Sequence, residues 1–143
     1  MRSILIFSFL FLQFFCACNN NSADKNEAAT SENDVDAARN FIRSALDNDF
    51  EKARAYIIND TTNNEYLDAA RRQRARLSRH ENLNYHKASI RIYDTRKIDD
   101  STSVIVYSNS YKNQKDSVKV VRLNGQWLID LKYSFPSVSD SVR

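Results

Sequence analysis

Residues 118–133 read VKVVRLNGQWLIDLKY, and this stretch decides the fold. Asn124-Gly125 lies between two apolar-rich runs, the pattern of a two-residue hairpin turn with positive φ at both central positions. That turn sets a register in which Arg122 faces Trp127, Val120 faces Ile129, Lys119 faces Asp130 and Val118 faces Leu131. One face then carries Val118, Val120, Trp127, Ile129 and Leu131 and needs a core to cover it. The other carries a Lys119–Asp130 pair and is mostly wet, with Val121 and Leu128 as apolar exceptions.

Working back from the hairpin, the period stays near two. Ala88, Ile90 and Ile92 alternate with Ser89, Arg91 and Tyr93. In Thr102–Tyr111, Val104 and Val106 fall on one side, Ile105 and Tyr107 on the other. Lys97–Ser101 and Lys112–Asp116 are polar connections of hairpin length. Four strands in series predict an antiparallel meander.

Before Tyr85 the period is helical. Val35, Ala38, Ile42, Ala45 and Leu46 recur on one stripe, with Asn33 placed to cap and Asp34 and Asp36 in the first turn, where the helix dipole favours anions. Asp47-Asn48-Asp49 ends this helix, and Phe50–Ile57 forms a short second segment. Asn59–Asn64 reads as a loop by composition. A third helix is expected from about Glu65 to Arg79, with Gln73 and Arg74 bordering its apolar face, about 50° from the centre at roughly 100° per residue. Arg72, Arg76 and Arg79 line up on its opposite side, as a solvated face or as a ridge for anionic headgroups or an acidic partner. An arginine at the border of a core face, Arg74, is paired, lines a cavity or snorkels to water. Helices first and strands after predict an α+β fold: N-terminal helices packed on a curved four-stranded antiparallel sheet, over residues 34–134.

The N-terminus has a different character. Arg2 precedes an almost unbroken apolar run, Ile4 to Phe15. It is too short for a ~30 Å hydrocarbon core, which takes about 20 residues, and matches a secretory signal. Residues 19–33, NNNSADKNEAATSEN, hold no aromatic or branched aliphatic side chain, so they cannot bury enough apolar surface to offset ordering entropy and read as a tether. Residues 135–143, with Pro136 and several serines, read as a tail. The only cysteines are Cys16 and Cys18. The domain itself therefore has no disulfide, thiolate metal site or cysteine nucleophile.

The 143 residues fit one domain; 27% are charged and the net charge is +3. That balance gives no case for nucleic acid, which needs a clustered basic excess. With one glycine and one proline in the chain, a Gly-rich phosphate loop is excluded. His80 and His86 flank five residues with no i, i+4 pair, so no metal motif forms. No cofactor motif is present, and no Ser/His/Asp order or paired-carboxylate spacing stands out. Tyr56, Tyr107 and Trp127, with Arg74 beside them and Tyr66, Tyr85 and Tyr93 as further members, are candidates to line an apolar pocket with polar tips, or simply to fill the core.

Two resemblances add to this reading. Phe15-Cys16-Ala17-Cys18 resembles the lipobox of bacterial lipoproteins, with Phe15 and Cys16 where that pattern has a leucine and a small residue. The resemblance implies cleavage after residue 17, acylation of Cys18 and a tether at 18–33. It places the chain in the bacterial cell envelope, on the outer membrane by the absence of an aspartate after the cysteine. Acyl chains partition at about 0.8 kcal/mol per methylene, so several together anchor firmly. Residues 35–57, VDAARNFIRSALDNDFEKARAYI, and 118–131, with Gly125, Trp127, Ile129 and Asp130, resemble the nuclear-transport-factor-2-like (cystatin-like) domains of bacterial lipoproteins, a family of unknown function. This implies a cone between sheet and helices. The expected function is non-catalytic binding of a small apolar ligand or an envelope protein. Alternatives are an enzyme working from Asp130, a tyrosine or His86, and a structural or assembly lipoprotein using the arginine ridge. A homodimer through Val121, Leu128, Ile105 and Tyr107 is a further expectation.

Overall fold

The computed structural model describes residues 30–134. The leader (1–17), Cys18, the tether up to residue 29 and the tail (135–143) lie outside the described residues. The fold is α+β. Helices α1 (Asp34–Leu46), α2 (Phe50–Arg54), α3 (Thr61–Ala75) and α4 (Arg79–Lys87) precede strands β1 (Ile90–Asp99), β2 (Thr102–Asn109), β3 (Asp116–Leu123) and β4 (Gln126–Asp130). The strands form one open antiparallel sheet in chain order.

The hairpin forms at Asn124-Gly125, with φ of 50° and 83°. Lys119 pairs with Asp130, Val120 with Ile129 and Arg122 with Trp127. Val118 does not pair with Leu131. Strand β4 ends at Asp130, whose carboxylate accepts from the Lys132 amide (3.3 Å) and starts a 3-10 turn over Leu131–Tyr133. Leu131 nevertheless turns inward and joins the core.

Pairing fixes the two faces of the sheet. Ile105, Val118, Val120 and Ile129 look toward the helices. Tyr107, two residues after Ile105 on β2, shares that side and packs against the same core. Neither Ile105 nor Tyr107 is therefore on an outer surface where a second copy could pair. Val121 and Leu128 are on the outer face and are half-buried. That face is drier than expected: Val104 is 1% exposed, and the buried Asp130 carboxylate lies 3.7 Å from Lys119 Nζ and 3.6 Å from Lys132 Nζ. The β4 edge is covered as well. The Ile129 amide donates to the Tyr56 carbonyl (2.8 Å) and the Ile58 amide to the Ile129 carbonyl (3.0 Å), so residues 56–58 run beside β4 as a parallel extension. At the other edge, β1 carries charged residues and two register shifts, features that blunt an exposed strand.

Helix α1 is the central cover. Asn33 caps it (2.9 Å to the Asp36 amide), and Asp34 accepts from the Ser103 hydroxyl (2.7 Å), tying the helix start to β2. Its buried face, Ala37, Ala38, Phe41, Ile42 and Leu46, touches all four strands.

Two helices differ from expectation. The polar stretch Asn59–Asn64 is not a loop, because Asp60 caps α3 from Thr61 onward. Within it Asn63 is fully buried: its Oδ1 accepts from the Leu131 amide (2.7 Å) and its Nδ2 donates to Asp60 (2.9 Å). An amide left unpaired there costs about 1–3 kcal/mol, so Asn63 welds the start of α3 to the end of the sheet. Helix α3 stops at Ala75, with Arg76 as C-cap, and a new helix begins after Ser78. Residues 80–86, between and including the two histidines, are thus helical. Arg72, Arg76 and Arg79 do not form one ridge, since Arg72 belongs to α3, Arg76 to its cap and Arg79 to the first turn of α4.

Gly125 offers a clean test of the turn. A methyl group there meets nothing within 4 Å, so the cost of Gly125→Ala is conformational alone. It is expected to be about 1–2 kcal/mol in equilibrium urea unfolding, with the register kept.

Candidate functional site

Helices and sheet do not close completely on each other. Between α1, α2, α3, α4 and β2 lies a cavity of about 390 Å³. Its floor is apolar: Phe41, Ile42, Ala45 and Leu46 from α1, Phe50 from α2, and Ala70 and Leu77 from the α3 side. Tyr85 of α4 and Tyr107 and Asn109 of β2 form the opposite wall. Gln73 and Lys112, both exposed, mark its mouth. A smaller lobe of about 170 Å³ shares Phe41, Ala45, Phe50, Ala70 and Tyr107 and reaches Tyr66, Leu67, Val118 and Leu131. A third hollow, of about 320 Å³, runs from Tyr85 and Tyr107 along Lys112, Gln114, Lys115 and Asp116. Tyr107 lines all three.

One charge is buried at this site. Arg74 is 8% exposed. Its Nε donates to Asn82 Oδ1 (2.6 Å), its Nη2 to the Leu46 carbonyl (2.9 Å), and its guanidinium stacks 4.0 Å from the Tyr85 ring centre. It does not snorkel. All three partners are neutral, and among the described residues no carboxylate forms an ion pair with it. Asp47, an acid whose charge bears on it, is held by Arg43 (2.8 and 3.0 Å) and His86 (2.8 Å). Burial lowers the Arg74 pKa, while Tyr85 and Asp47 oppose the shift. An arginine stays protonated through such a change.

Two arginines hold α4, which has no buried residue of its own. Arg74 takes Asn82, and Arg43 donates to the carbonyls of Ala88 (2.7 Å) and His86 (2.9 Å). Tyr85 is thereby fixed over the cavity, edge-on to Tyr111 with ring centres 4.8 Å apart. The Tyr107 phenol is pushed well above its ordinary value, first by burial and then by Asp116, to which its hydroxyl donates (3.3 Å). It stays un-ionised and acts as a donor.

Of the four residues singled out from the sequence, Arg74 and Tyr107 meet at the cavity and Tyr56 and Trp127 do not. Tyr56 is buried where the chain passes beside β4. Trp127 lies at the hairpin end, 5.7 Å from the Arg122 guanidinium. Tyr66 and Tyr85 line the lobes, whereas Tyr93 is exposed and bonds Ser108 (3.1 Å). Phe50 and Lys112 belong to the site without a sequence signal: Phe50 read only as the start of a short second segment and Lys112 as part of a polar connection. Asp130 is on the far face of the sheet between two lysines, and His86 is 64% exposed on Asp47, so neither reaches the cavity. Among the described residues no helix is long and apolar enough to cross a membrane.

Comparison with protein families, curated proteins and solved structures returns no match.

Acid is expected to loosen the α4 wall. Ser78 and Glu81 form a reciprocal capping box, and the Ser78 hydroxyl and amide hold the Glu81 carboxyl below its ordinary value of 4.5. A carboxyl lowered in the folded state stabilises above its unfolded pKa, and that contribution is lost as pH falls through the folded one. Hydrogen exchange of the α4 amides is therefore expected to quicken as pH drops below about 4.5, after correction for intrinsic rates. Glu81→Gln should exchange faster at neutral pH and lose most of that pH dependence.

Proposed function

We propose that this chain is a lipid-anchored, non-catalytic domain of the bacterial cell envelope that holds a small apolar ligand between its helices and its sheet. The observation that carries the reading is the cavity of about 390 Å³. It falls within the roughly 300–1,000 Å³ of small-molecule sites and is lined mainly by apolar and aromatic side chains with a few polar groups. The leader and the Phe15-Cys16-Ala17-Cys18 run support the anchor, and residues 19–33 the tether. The domain's likeness to cystatin-like lipoprotein domains belongs to the same proposal. The enzyme reading loses Asp130 and His86, which are away from the cavity, and keeps only its tyrosine, since Tyr85 and Tyr107 line it. The assembly reading loses its ridge because three arginines divide between two helices.

Two measurements test the halves separately. Mass spectrometry of the protein from bacterial membranes is expected to find an N-terminus at residue 18 bearing acyl groups; a retained leader or an unmodified Cys18 removes the anchor. Titration with 1-hexanol through 1-nonanol should show binding that tightens about fourfold per methylene until the cavity is full. Ala70→Phe, which fills the space shared by both lobes, should abolish it with the circular dichroism unchanged. No binding by any alcohol rules the ligand reading out.

A further inference from the structure

We infer that the ligand is a single-chain amphiphile with an anionic head, the head meeting Arg74 and Lys112 and the chain running toward Leu67 and Val118; this rests on the cavity being a ligand site. Its larger lobe has Arg74 and Lys112 in its lining and no acidic residue. The nearly buried Arg74 guanidinium has only neutral partners, an amide oxygen, a backbone carbonyl and a tyrosine ring. Taking an ion out of water is expensive unless an opposite charge compensates; the one acid that bears on Arg74, Asp47, is engaged by Arg43 and His86 and forms no ion pair with it. A carboxylate or phosphate entering from the mouth would supply that opposite charge, in the planar geometry a guanidinium favours.

The lysine adds a second cation on the same side. Lys112 Nζ is 5.2 Å from the Tyr111 ring centre and 5.9 Å from that of Tyr85, the ring on which Arg74 stacks. Both positive groups thus converge on one aromatic wall. The smaller lobe has the opposite character. Phe41, Phe50, Leu67, Val118 and Leu131 surround it, and its one carboxylate, Asp116, is exposed and accepts from Tyr107. An acyl chain suits that lobe; a second anion does not. Polarity therefore runs in one direction, cationic at the Arg74 end and apolar at the Leu131 end. A neutral ligand leaves Arg74 as it stands, and a cationic one is repelled.

Isothermal titration of the purified domain with decanoate, 1-decanol and decyltrimethylammonium separates the possibilities. Decanoate is expected to bind at least tenfold tighter than decanol, and the ammonium compound not at all. Lys112→Glu, a change at an exposed side chain, should weaken decanoate about tenfold and leave decanol unaffected. Arg74→Met should bring decanoate down to the affinity of decanol. Decyl phosphate in parallel tells a carboxylate from a phosphate monoester: binding by either anion supports the inference, and the tighter one identifies the head. Equal affinity for decanoate and decanol overturns the inference while the apolar site stands. Failure of all four compounds to bind overturns the site itself.

Discussion

A guanidinium buried without a carboxylate beside it organises one whole side of this molecule. Arg74 joins the carbonyl of Leu46, at the end of α1, to the middle of α4 and stacks on the Tyr85 ring. Helix α4 has no fully buried residue; its half-buried Tyr85 packs against the core, and hydrogen bonds from Arg74 and Arg43 add to that contact in fixing its position. Arginine can fill this role where lysine cannot, because its charge is delocalised, more weakly hydrated and presented as a rigid fork. The same bonds that fix the wall leave a positive charge at the edge of an apolar space. The position of the wall and the charge beside the cavity share one origin.

The other wall is set by the sheet. The Asn124-Gly125 turn holds the register that turns Val118, Val120 and Ile129 toward α1, and β2 carries the pattern on through Ile105 to Tyr107. Core contacts close the sheet under the N-terminal half of α1, where Asp34 reaches Ser103. Near the end of α1, Ala45, together with Ala70 of α3, lines the gap that Tyr107 also lines. Asn63 keeps the arrangement from sliding, because its amide holds the start of α3 to the chain leaving β4.

The parts legible in the sequence were those with strong local chemistry. The hairpin followed from one dipeptide and its flanking alternation, and α1 from its stripe, its cap and its acidic first turn. Helix α4 escaped because it has no apolar period to read, being anchored by hydrogen bonds from elsewhere. Its signal was the Ser78-x-x-Glu81 capping box, four residues inside a run that otherwise continued α3. The start of α3 was hidden in the same way, by asparagines and threonines that suggest a loop until Asp60 is seen as a cap. Arg74 was marked as unusual by its border position, but its partners Leu46, Asn82 and Tyr85 come from two other helices, α1 and α4. Tyr56 and Trp127 looked equivalent to Tyr107 because aromatic residues carry no sequence mark that separates a cavity wall from a filled core.

The central claim is that the space beside Arg74 receives a ligand and that the arginine feels its charge. Nuclear magnetic resonance of the Arg74 Nε–H during addition of decanoate tests it most directly. A saturable shift of that resonance is expected, accompanied by the amides of Phe50, Ala70 and Tyr107. A silent Arg74, with shifts absent or confined to Val121 and Leu128 on the outer face, would contradict it.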